Sequence, residues 1–214
     1  MNQKPVAQLG FWSSIVVTLM LIAFPLSLAF DWSLDVAYGS SFLLAPAFVT
    51  MMVSVHHYAA PEKKVWSQLG LSFAIIYAVM CSLTYYVQLT FIKNNYLPIT
   101  DEATAPFVFI PGTPIFAQDM LGYVFFCLAT LAAGPVFTGG KLEAWIKWLF
   151  IFNGVLFAIP TLILPALTMP VNAAGTGVGN QVGEYANIVW SFYVAIATGL
   201  TAALFGRLGR SLSE

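Results

Sequence analysis

Six long apolar stretches divide this chain, and they constrain its fold more than any other feature. A helix that crosses a bilayer requires about 20 predominantly apolar residues, and every stretch approaches or exceeds that length. The stretches are approximately 11–30, 37–55, 65–92, 115–137, 145–167 and 185–205. The longest polar connection between them is about 93–114. The sequence therefore predicts one all-α transmembrane domain over residues 1–214, a polytopic bundle of six membrane helices.

The composition supports a protein whose surface faces lipid. Charged residues make up only 8% of the chain and hydrophobic residues 59%, whereas soluble domains carry about 25% charged residues. The expected partner is therefore a lipid bilayer. A net charge of −1 gives no basic excess, which argues against a nucleic-acid partner.

The basic residues alternate regularly between the two sides of the predicted bundle. Seven of the eight lie on the side of the chain termini, and only Lys93 lies on the other. These seven are Lys4, Lys63, Lys64, Lys141, Lys147, Arg207 and Arg210. Because cytoplasmic segments retain lysine and arginine, the pattern predicts that both termini are cytoplasmic. The same rule accounts for the acidic outer side, for which attraction of cations is the alternative explanation.

Polar side chains recur at helical spacing on three of the predicted spans. Residues at i, i+3, i+4 and i+7 share a helix face, and lipid-facing surfaces avoid polar groups. The stripes are Tyr77, Cys81, Thr84, Tyr85 and Gln88 on the third span, Asp119, Tyr123 and Thr130 on the fourth, and Glu184, Asn187, Ser191 and Thr198 on the sixth. We predict that these faces meet near the outer end of the bundle. The candidate ligand-binding residues are Tyr85, Gln88, Asp119, Tyr123, Glu184 and Asn187.

Tyr85 and Tyr86 are adjacent and therefore point about 100° apart on a helix. Tyr86 is expected in the aromatic belt at the membrane surface, and Tyr85 in the interior. For Gln88 two interpretations remain open, a hydrogen bond to another helix or contact with a ligand, and we favour the first.

Asp119 is the most informative single residue because apolar segments flank it on both sides. A carboxylate at membrane depth costs at least about 2 kcal/mol unless it is paired or hydrated. The alternative is a position near the start of a helix, where the macrodipole stabilises negative charge. The same alternative applies to Glu184, for which we favour it.

The long connection at 93–114 contains an acidic pair and the apolar run FVFIP. It either folds back over the outer end of the bundle as a lid or lies on the lipid headgroups, and we favour the headgroups.

The sequence offers no recognisable ligand set for a cofactor. His56 and His57 are the only two histidines, and adjacent histidines point apart on a helix, so they cannot hold one haem between helices. Only Glu62 is near them as a further metal ligand, and the two cysteines lie inside apolar stretches. We expect no metal and no cofactor.

Three segments carry a resemblance to other proteins: YYVQLT in the third span, QDMLGY in the fourth, and GPVFTGGKLEAWIKWLFIFNG from the fourth into the fifth. They resemble uncharacterised bacterial multi-spanning membrane proteins with six spans. The resemblance implies a place in the bacterial cytoplasmic membrane. That family has no established activity, so the resemblance implies no site residue.

Three functional hypotheses follow. The first, which we favour, is a protein that binds or transports a small molecule through an outward-facing polar pocket between spans three, four and six. The second is a membrane enzyme that acts on a lipid, with Asp119 and Glu184 as acid and base. The third is an accessory or assembly subunit that packs against a membrane protein partner or a second copy of the chain.

Overall fold

The computed structural model describes residues 3–30, 32–94, 101–167 and 178–212, without the side chains of residues 167 and 178–184. Within these ranges the chain is helical and contains no β-strand. The long helices are α1 (Lys4–Ala29), α2 (Leu34–Tyr58), α3 (Lys64–Val87), α4 (Pro114–Ala133), α5 (Lys141–Leu167) and α6 (Val178–Ser211). Six segments of the described chain are long and apolar enough to cross a membrane. The predicted all-α, six-helix membrane bundle is confirmed.

Short helical turns modify the ends of these helices. A 3-10 turn at Pro61–Lys63 leads into α3, and another at Gly134–Val136 follows α4. A π-helical turn at Gln88–Ile92 continues α3, and a 3-10 turn at Ala105–Phe107 lies in the α3–α4 connection. The helices extend beyond several predicted boundaries, because polar residues beyond the apolar core can remain helical.

The helices pack mainly in chain order, and α6 returns to pack against α1, which closes the bundle. α5 packs extensively on α4 but only slightly on α6. Because successive helices alternate in direction, the α2–α3 and α4–α5 connections lie at the end that holds the termini, here called the terminal end. The α1–α2 and α3–α4 connections lie at the opposite end, here called the loop end.

An aromatic cluster at the centre joins four of the helices. Phe126 of α4 stacks on Phe48 of α2 with ring centroids 4.0 Å apart. Its edges meet Tyr77 of α3 at 5.0 Å and Trp190 of α6 at 5.4 Å. Stacked and edge-to-face pairs are favoured geometries for aromatic rings, so this cluster fixes how α2, α3, α4 and α6 meet.

Asn153 provides one of the polar links that hold α5 to the bundle, and Tyr193 of α6 provides another by donating to the Leu149 carbonyl at 2.8 Å. The Asn153 amide donates to the hydroxyl of Thr130 on α4 at 2.8 Å. Its carbonyl oxygen accepts from the indole of Trp190 on α6 at 2.9 Å. Interhelical hydrogen bonds of this kind help membrane helices associate, because lipid supplies no hydrophobic driving force between them.

Candidate functional site

The centre of the candidate site is a hydrogen bond between α3 and α4. The hydroxyl of Tyr85 donates to Oδ2 of Asp119 at 2.9 Å. Tyr85 is 1% exposed and Asp119 is 0% exposed. The second carboxyl oxygen, Oδ1, has no hydrogen-bond partner among the residues that the structure describes. The site therefore contains a buried carboxyl group with an unused acceptor.

The position of Asp119 along α4 excludes the macrodipole as its main stabilisation. Pro114 is the first residue of α4, Thr113 caps it by accepting from the Phe116 amide at 3.3 Å, and its first turn contains no acidic residue. Asp119 follows Pro114 by five residues, whereas the dipole effect falls off within the first turn. The helix-start interpretation of Asp119 is therefore wrong.

A close approach of α3 and α4 brings Tyr85 within reach of Asp119. Gly122 lies at this interface, where an added Cβ would stand 2.7 Å from the Cys81 sulfur and 3.3 Å from Met80 Cβ. A residue without a side chain is therefore required for the helices to pack this closely.

Tyr123 extends the site from α4 toward α6. Its hydroxyl lies 3.4 Å from the hydroxyl of Tyr85, and either atom can be the donor. Its ring meets Trp190 edge-on at 5.3 Å and Tyr77 at 5.6 Å. Tyr85, Asp119 and Tyr123 thus form a continuous polar row across α3 and α4, as their helical spacing predicts.

Beyond Tyr123 lies a small cavity between α1, α2, α4 and α6. Its volume is about 10 Å³, roughly the space that one water molecule requires. Tyr123, Asn187, Ser41 and Ser191 supply its polar lining. The Ser191 hydroxyl donates to Asn187 Oδ1 at 3.3 Å, and Ser41 Oγ has no partner in the described chain. Asn187 therefore shares this cavity with Tyr123, but Asp119 does not line it.

Gln88 lies at the loop end of α3, where it holds the α3–α4 connection. Its amide nitrogen donates to the Phe107 carbonyl at 2.8 Å, and its amide oxygen accepts from the Phe109 N–H at 3.1 Å. The π turn begins at Gln88, whose carbonyl accepts from the Lys93 amide at 3.1 Å. Gln88 is thus buried as predicted, but its amide bonds to main chain of the connection rather than to another helix, contrary to our favoured interpretation.

Residues 105–113, here called the cap, cover the loop end of the site. Phe109 places its ring 5.8 Å from Tyr85, 6.0 Å from Tyr38 and 5.4 Å from Phe116. A turn at the end of the cap has Gly112 at φ 94° and a hydrogen bond from Thr113 N to Ile110 O at 3.2 Å. The cap therefore packs on the helix ends. Of the two interpretations this agrees with a segment that folds back over the bundle, which we did not favour, because Gln88 and the aromatic rings bind it.

The predicted residues are divided among three places. Tyr85, Asp119 and Tyr123 are together, Gln88 is occupied by the cap, and Asn187 lies across Tyr123 at the small cavity. The side chain of Glu184 lies outside the described residues. The backbone of α6 begins at Val178, six residues before Glu184, so our favoured helix-start interpretation of Glu184 is wrong. Tyr86 is 57% exposed whereas Tyr85 is buried, as their different directions on the helix predict.

Sequence reasoning missed the contribution of α2. Tyr38 packs against Tyr85 and Phe109, and Ser41 lines the small cavity. A signal was present, since Tyr38, Ser41 and Ala45 recur at the spacing of one helix face. Ser41 is 1% exposed and Ala45 0% exposed, which agrees with that spacing.

No basic side chain neutralises Asp119 within the described part of the chain. The one ion pair found there joins Lys93 to Asp35 at 2.6 Å, and both side chains are about half exposed. Among the described residues, no three His, Cys, Asp or Glu side chains come close enough to hold a metal ion. The site is therefore a carboxyl group among hydroxyl groups and aromatic rings.

No family model matches this chain, and neither a curated protein nor a solved structure matches it. The fold alone defines its class, which is that of multi-pass helical membrane proteins.

Proposed function

We propose that this chain binds or transports a small molecule, which reaches Asp119 from the loop end between α3 and α4. The observation that carries the proposal is the free oxygen of Asp119, fully buried beside Tyr85. A buried polar atom without a partner costs about 1–3 kcal/mol. Such a cost is typical of functional sites, where a ligand supplies the missing partner.

The chemistry of the oxygen limits the class of ligand. A carboxylate only accepts hydrogen bonds, and the described surroundings of Asp119 hold no positive charge. The ligand is therefore a small cation or a molecule with an N–H or O–H donor. The loop end is acidic, with Asp101 and Glu102 beside the cap. Its negative charge attracts cations, as does that of the Asp119 carboxylate.

Access to Asp119 requires the cap to move. The cavity at Tyr123 holds no more than a water-sized molecule, and Phe109 covers Tyr85 from the loop end. The cap is attached there through the two hydrogen bonds of Gln88 and the contacts of Phe109. Breaking this small set of contacts exposes Tyr85, so the cap acts as a lid.

Ligand-dependent thermal unfolding tests this function. Purified protein in detergent is heated with sodium, ammonium, methylammonium, a quaternary amine or a neutral sugar. We expect at least one cation or amine to stabilise the protein, by about 2.7 kcal/mol at a concentration of 100 Kd. Asp119→Asn abolishes this stabilisation, whereas Asp35→Asn, which removes an exposed carboxylate, retains it. Stabilisation that persists in Asp119→Asn contradicts the proposal.

A bacterial cytoplasmic membrane is the proposed location, with both termini in the cytoplasm. The distribution of lysine and arginine and the resemblance to bacterial six-span proteins support it.

The accessory-subunit hypothesis is supported by the outer face of α5. A groove of about 460 Å³ lies there, lined by Lys141, Ala144, Trp145, Trp148 and Phe152. A membrane protein partner or a second copy of the chain is the proposed occupant under this hypothesis. Disulfide cross-linking of Trp148→Cys by an added oxidant in native membranes tests the second copy, since both copies then carry the thiol, and the absence of a cross-linked dimer contradicts that occupant.

A further inference from the structure

Three of the four unpartnered buried polar atoms in the described chain lie around Tyr123. They are Asp119 Oδ1, Tyr77 Oη and Ser41 Oγ. Asp119 is reached from Tyr123 through Tyr85, Tyr77 contacts the Tyr123 ring, and Ser41 lines the same cavity as Tyr123. Buried polar atoms normally have hydrogen-bond partners. Three atoms without partners around one side chain therefore indicate a single polar site at Tyr123.

The hydroxyl groups form an ordered row that ends at the cavity. Tyr123 Oη is 3.4 Å from Tyr85 Oη, and Tyr85 Oη is 2.9 Å from Asp119 Oδ2. A tyrosine hydroxyl both donates and accepts a hydrogen bond, so each can pass on one proton while it receives another. The cavity lies at the other end of the row, against Tyr123.

We propose that Asp119 gains and loses a proton through Tyr85 and Tyr123, in exchange with water in the cavity between α1, α2, α4 and α6. This deepens and rests on the proposed function, since proton release would leave Asp119 charged for a cationic ligand. Asp119 thereby couples ligand binding to proton movement.

The transfer uses only O–H bonds. In uptake, a hydronium ion in the cavity gives a proton to Tyr123 Oη, Tyr123 gives its own proton to Tyr85 Oη, and Tyr85 gives its proton to Asp119 Oδ2. Both tyrosines end with one proton each, as they began. The net change is a carboxylate and a hydronium ion converted to a carboxylic acid and water, and release is the reverse.

The groups that face this row leave Asp119 as its acidic end. Tyr77 and Cys81 face it from α3, and Tyr38 packs on Tyr85 from α2. The cap contributes Phe109, and α6 contributes Trp190, neither of which titrates. Tyrosine and cysteine have ordinary pKa values above about 8, whereas the carboxyl group of an aspartate has its ordinary pKa in the acidic range. Asp119 is therefore the group in this row that titrates as the pH falls.

Infrared spectroscopy of the protein in lipid vesicles tests the path without any ligand. We expect a carbonyl band of a protonated buried carboxyl group that grows as pH falls and is absent in Asp119→Asn. Tyr85→Phe shifts this band because it removes the hydrogen bond to Oδ2. After transfer to D₂O, the carboxyl proton is replaced by deuterium and the band shifts. We expect this exchange to be about tenfold slower in Tyr123→Phe than in the wild type, which corresponds to a barrier raised by about 1.4 kcal/mol.

Two further variants keep the test decisive. Tyr86→Phe alters an exposed tyrosine one residue from Tyr85 and leaves the band and its exchange unchanged. Ser191→Leu fills the cavity without removing either hydroxyl of the row, and it slows the exchange as Tyr123→Phe does.

The proposal is overturned if no such band depends on Asp119 at any pH, or if exchange in Tyr123→Phe and in Ser191→Leu is as fast as in the wild type. Its failure is distinguishable from failure of the proposed function. If the band behaves as expected but no cation or amine stabilises the protein, the proposed ligand binding is contradicted and the proton path is supported. If a cation stabilises the protein through Asp119 but exchange in Tyr123→Phe and Ser191→Leu equals that of the wild type, ligand binding is supported and the proton path is contradicted.

Discussion

Tyr85 and Asp119 are joined by a 2.9 Å hydrogen bond between two neighbouring helices, and this bond uses only one of the two carboxyl oxygens. The bond crosses the α3–α4 interface at a depth where both side chains are enclosed. It therefore contributes to helix association and also holds a potential binding group in place.

Removal of the Tyr85 hydroxyl tests the structural part of this relationship. Tyr85→Phe leaves Asp119 with neither oxygen bonded, so we expect the free energy of unfolding to fall by about 1–3 kcal/mol. The measurement is reversible unfolding in mixed micelles. Tyr86→Phe, at a 57% exposed position, is the control and changes the free energy by less than about 0.5 kcal/mol. Equal effects of the two substitutions would contradict a buried Tyr85–Asp119 bond.

Gln88 determines how firmly the cap is held. Gln88→Leu removes both hydrogen bonds to Phe107 and Phe109. A loss of about 1.4 kcal/mol in cap attachment raises the open population tenfold, and chymotrypsin cleavage after these phenylalanines rises accordingly. Gln68→Leu, which replaces an exposed glutamine on the same helix, leaves cleavage unchanged. A cap cleaved equally in wild type and Gln88→Leu would show that Gln88 does not retain it.

Gly122 sets the distance between α3 and α4. In Gly122→Ala the new methyl group meets the Cys81 sulfur at 2.7 Å, so the helices must separate. We expect a loss of about 1–3 kcal/mol in stability, typical of overpacking. Gly39→Ala is the matched control, since a Cβ there meets nothing within 4 Å. Comparable losses in both variants would mean that the helices do not approach at Gly122.

The orientation in the membrane is open to a direct test. Glu102→Cys lies at the loop end and Ser211→Cys at the terminal end, while Cys81 and Cys127 are buried. A membrane-impermeant maleimide should label Glu102→Cys in intact cells and Ser211→Cys only after the membrane is opened. The reverse pattern would place the termini outside and make the cap cytoplasmic.

Helical spacing predicted the interior faces well but not what those faces contact. Tyr77, Cys81, Tyr85 and Gln88 all lie inside, because a helix in lipid must turn polar groups inward. Spacing carries no information about partners from a connection, so it does not predict the bonds of Gln88 to the cap. The cap depends on a bond between Gln88 and backbone atoms about 20 residues away, which no local pattern encodes.

The position of Asp119 illustrates the same limit. Its flanking residues are apolar in sequence whether it lies in the first turn of a helix or below it. The boundary is set by Thr113 and Pro114, and the combination of a capping residue and proline was available as a signal. Because α4 begins at Pro114, Asp119 lies too far along the helix for the macrodipole to stabilise its carboxylate.

The most direct test of the account is a density map of the protein in lipid nanodiscs, prepared with the cation or amine that stabilises it best. We predict density within hydrogen-bonding distance of Asp119 Oδ1, with the cap, Phe109 included, displaced from Tyr85 toward the solvent. A map in which the added compound lies elsewhere, with Asp119 still enclosed and bonded only to Tyr85, would contradict the account.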